Sequence, residues 1–295
     1  MSRLPTRPPE LAGRVFRGSV VVRAGLLTPA QLRTSAWQRL FPDVYACTTV
    51  DVDHGRRALA VACLLLPGAV VSGRSAAVLW GVDLAGRDDA VTCTVPPACR
   101  AGAVDGVVLS RRALSPDEVT RRGPARVTTP LRTALDLSRT RPLVEAVVDL
   151  DRFLRRGLVD VAEVRAAATG LTGRDCRHVR RVAALADGLA ESPQETRLRL
   201  LVRGSGLPPP VAQHVVRSGG GFVARVDFAW PEHRLALEYD GAWHGDPAQF
   251  RADRARLNRL TAAGWRVVFV TAADLHRPEA LLAQLRRLLA APRSA

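Results

Sequence analysis

Apolar and polar positions alternate most legibly in the last third of the chain. Ser192-Pro193 opens a helix that runs to about residue 203, with Ser192 placed to cap it and Pro193 at its first turn. Residues 211–216 and 222–229 read as strands joined by a turn at Gly219, Gly220 and Gly221. Pro231-Glu232-His233 makes the next turn, and 234–240 is a third strand. A helix then starts at Asp246-Pro247 and stops before Gly264, which suits a helix C-terminus. Residues 265–271 form an apolar, β-branched strand, and 278–289 a final helix. The predicted order is helix, three strands, helix, strand, helix. A strand–helix–strand step of this kind requires a parallel crossover.

The earlier part of the chain is less regular. Thr28 caps a short helix with Pro29 at its first position, and Pro42-Asp43 turns into a strand at Val44, Tyr45 and Ala46. Residues 58–66 read as a core helix, 73–80 as a helix capped by Ser72, and 90–109 as short strands. Helices follow over 130–137, 142–154, 161–168 and 178–189. Three domains are expected, at 1–85, 86–190 and 191–295. The class is α+β or α/β, with helical and winged-helix-like parts first and a mixed sheet last.

Composition narrows the partners. The 295 residues carry a net charge of +15, and every basic residue is arginine, because lysine is absent. A GC-rich coding sequence accounts for arginine over lysine but not for the excess over acid. That excess points to a polyanion, and DNA is the expected partner. The five cysteines, Cys47, Cys63, Cys93, Cys99 and Cys176, form no CxxC pair and read as small apolar residues in a reducing compartment. The first residues lack the apolar core of a signal peptide, and the longest apolar run, 58–71, is too short to span a bilayer. A cytoplasmic location with no membrane contact is expected.

The candidate chemistry lies on the third strand of the last segment. Strand side chains alternate faces, so Leu235 and Leu237 share one face while Glu238 and Asp240 share the other. Folding the preceding strand back across Pro231 to His233 with Phe228 opposite Leu237 sets Asp227 opposite Glu238. Like charges facing each other destabilise a sheet, and a divalent cation offsets them. Oxygen ligands of this kind suit Mg²⁺, with Mn²⁺ as substitute. Each carboxylate taken alone reads as readily as a solvated group or an arginine partner. Together, followed by Gly241 and His244, they read as a site.

The strings Arg225-Val226-Asp227-Phe228, Glu238-Tyr239-Asp240-Gly241-Ala242-Trp243-His244, Asp253-Arg254-Ala255-Arg256 and Gly264-Trp265-Arg266-Val267 resemble a domain-of-unknown-function family related to very-short-patch-repair mismatch endonucleases. That family belongs to the PD-(D/E)xK, restriction-endonuclease-like superfamily, whose core order is αβββαβ. The resemblance implies a metal-dependent DNA endonuclease with Asp227 and Glu238 as metal ligands. Asp240 stands where the superfamily often has lysine, so it implies either a third ligand or a missing positive charge. His244 or an arginine of the following helix would then replace that charge. Glu195 reads equally as a first-helix metal ligand or as part of the S-x-x-E capping box begun by Ser192. Arg251, Arg254 and Arg256 form either a solvated helix face or a phosphate-contacting one. Trp230 and Trp243 are candidates for base stacking, and Trp265 for core packing.

More weakly, Gly25-Leu26-Leu27-Thr28-Pro29-Ala30-Gln31-Leu32, Trp37-Gln38-Arg39-Leu40-Phe41 and Ser72-Gly73-Arg74-Ser75 resemble the winged helix domain of AbiEi-type abortive-infection antitoxins. This implies a recognition helix in a major groove, with Arg33 and Arg39 on phosphates or base edges, and a toxin or antitoxin partner. The alternative to an enzyme is a non-catalytic DNA-binding regulator of this antitoxin-like kind.

Overall fold

The computed structural model describes residues 7–241 and 247–290. It packs as two units, each discontinuous in sequence: Met1–Arg139 with Leu158–Thr172, and Thr140–Gly157 with Gly173–Ala295. The class is mixed α and β with mixed sheets.

The first unit begins with β1 (Val15–Arg17), α1 (Gly18–Arg23), β2 (Trp37–Phe41) and β3 (Val44–Cys47), which form an antiparallel sheet in the order β1-β3-β2. Asp43 turns the β2–β3 hairpin at φ 60°, and its carboxylate accepts from the backbone N–H and the hydroxyl of Ser19. The helix expected from Thr28 is reduced to one 3-10 turn, Gln31–Arg33. Its cap forms, with Thr28 N–H donating to Gln31 and Gln31 N–H to Thr28 Oγ1, but Thr34 is already extended.

Next come α2 (His54–Ala60), continued by a π turn over Val61–Leu65, then β4 (Val70–Val71), α3 (Gly73–Leu79), β5 (Val91–Val95), β6 (Val107–Arg111), β7 (Val119–Arg122), β8 (Ala125–Thr128) and α4 (Pro130–Leu137). The second sheet runs β6-β5-β4-β8-β7. The short central β4 pairs with β5 on one side and β8 on the other, so residues 1–85 and the segment after them share a sheet. That pairing is why the boundary expected at 85 does not separate two units.

The chain then places α5 (Leu143–Arg155) in the second unit, α6 (Val161–Gly170) in the first, and α7 (Cys176–Leu185) in the second. Here too the packing differs from the expected boundary at 190: α5 and α7 pack together, and α5 packs on α8 (Pro193–Gly204). The tie is Asp151 of α5, which is fully buried. Its Oδ1 accepts from the N–H groups of Asp187 and Gly188 at 2.9 and 3.0 Å. Its Oδ2 accepts from Thr196 Oγ1 at 2.9 Å and from Arg199 at 2.6 Å.

From α8 the order is β9 (Val211–Ser218), β10 (Gly221–Trp230), a 3-10 turn (Pro231–His233), β11 (Leu235–Tyr239), α9 (Pro247–Ala262), β12 (Arg266–Val270), α10 (Ala272–His276) and α11 (Glu279–Ala290). The sheet runs β12-β11-β10-β9, with β11 and β12 parallel across α9. Phe228 pairs with Leu237, the register expected from the Pro231 turn. Leu235, Leu237, Phe228, Trp230, Val268 and Val270 join Leu198 and Val202 of α8 and Leu281 and Leu285 of α11 in one core. Burying each leucine contributes about 2 kcal/mol. Ala229 and Ala236 form a second cluster with Leu260 of α9. Their small side chains admit the helix to the β11 face that carries Glu238. Among the described residues no helix is long and apolar enough to cross a membrane.

Candidate carboxylate site

Three carboxylates come from three elements of the second unit: Glu195 from the first turn of α8, Asp227 from β10 and Glu238 from β11. The Phe228–Leu237 pairing carries Asp227 next to Glu238. Asp227 Oδ2 accepts from the backbone N–H of Tyr239 at 2.9 Å, which fixes the carboxylate across the strand pair. Glu238 is 6% exposed, and the guanidinium of Arg256 on α9 clamps it with two bonds of 2.6 Å. Arg256 also donates to the carbonyl of Arg225 at 2.7 Å. This fork-on-carboxylate geometry is the strong form of the ion pair.

Glu195 is equally buried. Ser192 Oγ accepts from its backbone N–H at 3.2 Å, which is half of a capping box. The other half is displaced by one residue: Glu195 Oε2 accepts from the N–H of Glu191 at 2.7 Å. The same oxygen accepts from Gln213 Nε2 of β9 at 3.2 Å. Gln213 has φ 51°. A non-glycine residue in the left-handed region costs about 1–2 kcal/mol. Glu191 itself bridges Arg155 and Arg225 at 2.6 and 2.8 Å.

Burial raises the proton affinity of all three acids. For Glu195 the Glu191 N–H pulls back and the Asp227 charge pushes further up. For Asp227 the Tyr239 N–H and Arg256 pull back while Glu191 pushes up. For Glu238 Arg256 pulls back while Asp227 and Asp253 push up. The Asp227 charge thus links the two glutamates electrostatically. Glu191, on the surface, is held below its ordinary range by Arg155.

The other expected residues fall elsewhere. Asp240 is exposed beyond the end of β11, its N–H donating to the Val270 carbonyl. His244 and Trp243 lie outside the described residues. Arg251 and Arg254 are exposed on α9, whereas Arg256 turns inward to Glu238. Trp230 is buried and donates to the Pro208 carbonyl, so it is a core residue, not a base-stacking one. Trp265 packs against the Leu260 cluster and lies 5.5 Å from the His214 ring. In the first unit Arg33 is exposed on the single 3-10 turn and Arg39 is exposed on β2, so the two do not share a recognition helix. Gln213 and Glu191 carry no motif that marks them in the sequence, and Arg225 is marked only as part of the string that holds Asp227. The one signal is that Gln213 falls opposite Asp227 once β9 is paired with β10.

Among the described residues no three His, Cys, Asp or Glu side chains stand close enough together to hold a metal ion as they are arranged. The donors nevertheless fit a hard divalent cation in kind. They are carboxylate oxygens short of compensating charge, and Glu238 already draws in a cationic group, Arg256.

No family model matches the chain. Over 263 residues it is 32% identical to the Uncharacterized protein Rv2248 of Mycobacterium tuberculosis strain H37Rv, a span of 88% of this chain and 94% of that protein. The Uncharacterized protein MT2308 of strain CDC 1551 matches to the same extent. The crystal structure of RV2827C protein from Mycobacterium tuberculosis overlaps 72% of this chain and 90% of its own, with a TM-score of 0.40 and 14% identity, values too low to establish a common fold. On the identity and span of the first two, the chain belongs to one family with Rv2248 and MT2308.

Proposed function

We propose that this protein is a cytoplasmic, Mg²⁺-dependent DNA endonuclease. In this reading the second unit is a restriction-endonuclease-like domain related to very-short-patch-repair enzymes, and the first carries a winged-helix-like targeting module. The observation that carries the reading is the coupled carboxylate group. Glu195 and Glu238 are buried, Asp227 is half-buried, and the Asp227 charge raises the proton affinity of both glutamates. Groups perturbed by burial and like charge together mark functional sites. The order α8, β9, β10, β11, α9, β12 supports the domain assignment, as does the excess of arginine.

Asp227 and Glu238 would hold Mg²⁺, or Mn²⁺ in its place, with Glu195 and Asp240 as further oxygen donors. Such a cation supplies an acidified water and polarises a phosphoryl oxygen. The chain's own residues orient and balance charge. The Tyr239 N–H fixes Asp227, and Arg256 aligns Glu238. Arg256 is a cation already held at the site by Glu238. Released from Glu238, it would stabilise charge developing on the phosphate, alongside His244. Arg251 and Arg254 present further positive charge to the DNA backbone. The test is cleavage of plasmid and short duplex DNA in Mg²⁺, Mn²⁺ or chelator. Wild type cleaves with metal, and Asp227→Ala or Glu238→Ala abolishes cleavage. Equal cleavage by all three proteins would overturn the reading.

A second reading has its own support in the ion pairs. Glu238 is committed to Arg256, and Glu191 to Arg155 and Arg225. Carboxylates neutralised in this way suit a non-catalytic DNA-binding regulator, antitoxin-like and paired with a toxin. It requires salt-sensitive DNA binding that is indifferent to chelator and to Asp227→Ala.

A further inference from the structure

We infer that Gln213 is a positioning residue of the carboxylate site, held in a strained backbone conformation so that its amide aims Glu195 toward Asp227. The inference rests on the proposed function for its catalytic consequence, but its structural part stands apart from it.

Two independent observations meet at this residue. The first is the backbone. Gln213 takes φ 51° inside β9. Its neighbours are in ordinary register, with Ala212 opposite Phe228 and His214 opposite Val226. No extra residue is inserted, so a bulge does not account for the left-handed turn of the chain. A glycine would adopt this conformation without penalty. A glutamine there is strained, and such strain persists only where the surroundings enforce it.

The second observation is where the side chain goes. The register places Gln213 opposite Asp227. Its Nε2 reaches across to Glu195 Oε2 at 3.2 Å, the oxygen that also accepts from the Glu191 N–H at 2.7 Å. Two donors on one oxygen hold the carboxylate in a single orientation and leave its other oxygen to face elsewhere. Glu195 comes from a helix and Asp227 from a strand, so something must set the angle between them. Gln213, on the strand beside Asp227, does this. The amide carries no charge and leaves the negative character of the cluster intact, which an arginine at this position would cancel.

The decisive variant is Gln213→Gly, which removes the amide and relieves the strain together. A residue present only to stabilise the fold would, on removal, lower the melting temperature. A positioning residue gives the opposite pattern. The melting temperature stays the same or rises, while amide exchange at Glu191, followed by NMR in the full chain, accelerates about tenfold as its acceptor loosens. Mg²⁺-dependent DNA cleavage falls at least tenfold in kcat with little change in KM. Gln213→Asn, which keeps a shorter amide, falls between. Unchanged Glu191 exchange in Gln213→Gly overturns the inference, as does a lowered melting temperature with unchanged cleavage. Accelerated exchange without loss of stability, in a protein whose wild type cleaves no DNA, upholds the positioning role and rejects the nuclease reading instead.

Discussion

Two sets of acidic side chains in the second unit are treated differently. At the junction of α5 and α8, Asp151 is fully buried and receives four donors, two from backbone and two from side chains, one of them the Arg199 cation. On the sheet, Asp227 has the Tyr239 N–H, Glu195 has two neutral donors on one oxygen, and Glu238 alone has a cation. The Asp227 charge also repels both glutamates. Burial is common to both regions. They differ in how completely the charge is answered. A fully answered carboxylate is a structural joint, and an under-answered group is where an external cation finds binding energy.

On that contrast, the two regions differ in how much the loss of a charge costs and in whether a cation restores it. Asp151→Ala leaves the buried Arg199 with one carboxylate partner, Asp187, in place of two, and takes the acceptor from two N–H groups. It should cost about 3–5 kcal/mol, read as a lowered urea midpoint. Arg256→Ala strands Glu238 but at a more open position, and should cost about 1–2 kcal/mol in the absence of metal. Excess Mg²⁺ should recover part of that stability, because it answers the same charge. If it recovers none, Glu238 has no cation site and the contrast fails.

Acidity sharpens the comparison further. A carboxyl whose folded-state pKa lies above its unfolded one binds its proton more tightly when folded. The site therefore weakens the fold as pH rises from the ordinary carboxylate range, about 4, through the raised values of Asp227, Glu195 and Glu238. Asp227→Asn should remove its share. In chelator, the variant should gain stability relative to wild type as pH rises above about 4, through the raised value of Asp227. A variant that loses ground over that interval would mean Asp227 is well compensated after all. The smallest effect belongs to the first unit. Arg33→Ala or Arg39→Ala should reduce the salt slope of DNA binding by about 0.9 for each phosphate no longer neutralised and weaken affinity only a few-fold.

Much of the sheet was legible because local chemistry determines it. Pro231-Glu232-His233 admits a tight reversal, and that reversal sets Phe228 against Leu237. Gly264 ends α9 at φ 76°, where a Cβ would meet Arg234 Nη1 at 2.7 Å. The β7–β8 hairpin was missed because Arg121, Arg122 and Arg126 break the apolar alternation on an edge that solvent covers. The α10 turn was missed although Thr271 and Asp274 form its capping box, since its five residues contain little apolar pattern. Because α9 is polar nearly all round, its sequence does not say which side meets the sheet, and the inward turn of Arg256 onto Glu238 is not legible from it. The strain at Gln213 has no local signature at all, because tertiary contacts hold it there. The unit boundaries failed for the same kind of reason, as β4 and α5 find partners far along the chain.

The chain passes between the two units at residues 139, 157 and 172 before it enters the sheet that bears the carboxylates. Neither unit is therefore a portable cassette. A recombination that replaced everything after residue 190 with an unrelated segment would leave Asp151 on α5 without the threonine and arginine of α8 that answer it. Such a hybrid begins life with a broken joint. The sheet that bears the carboxylates and the helix that ends before residue 157 therefore have to travel together for that joint to stay intact.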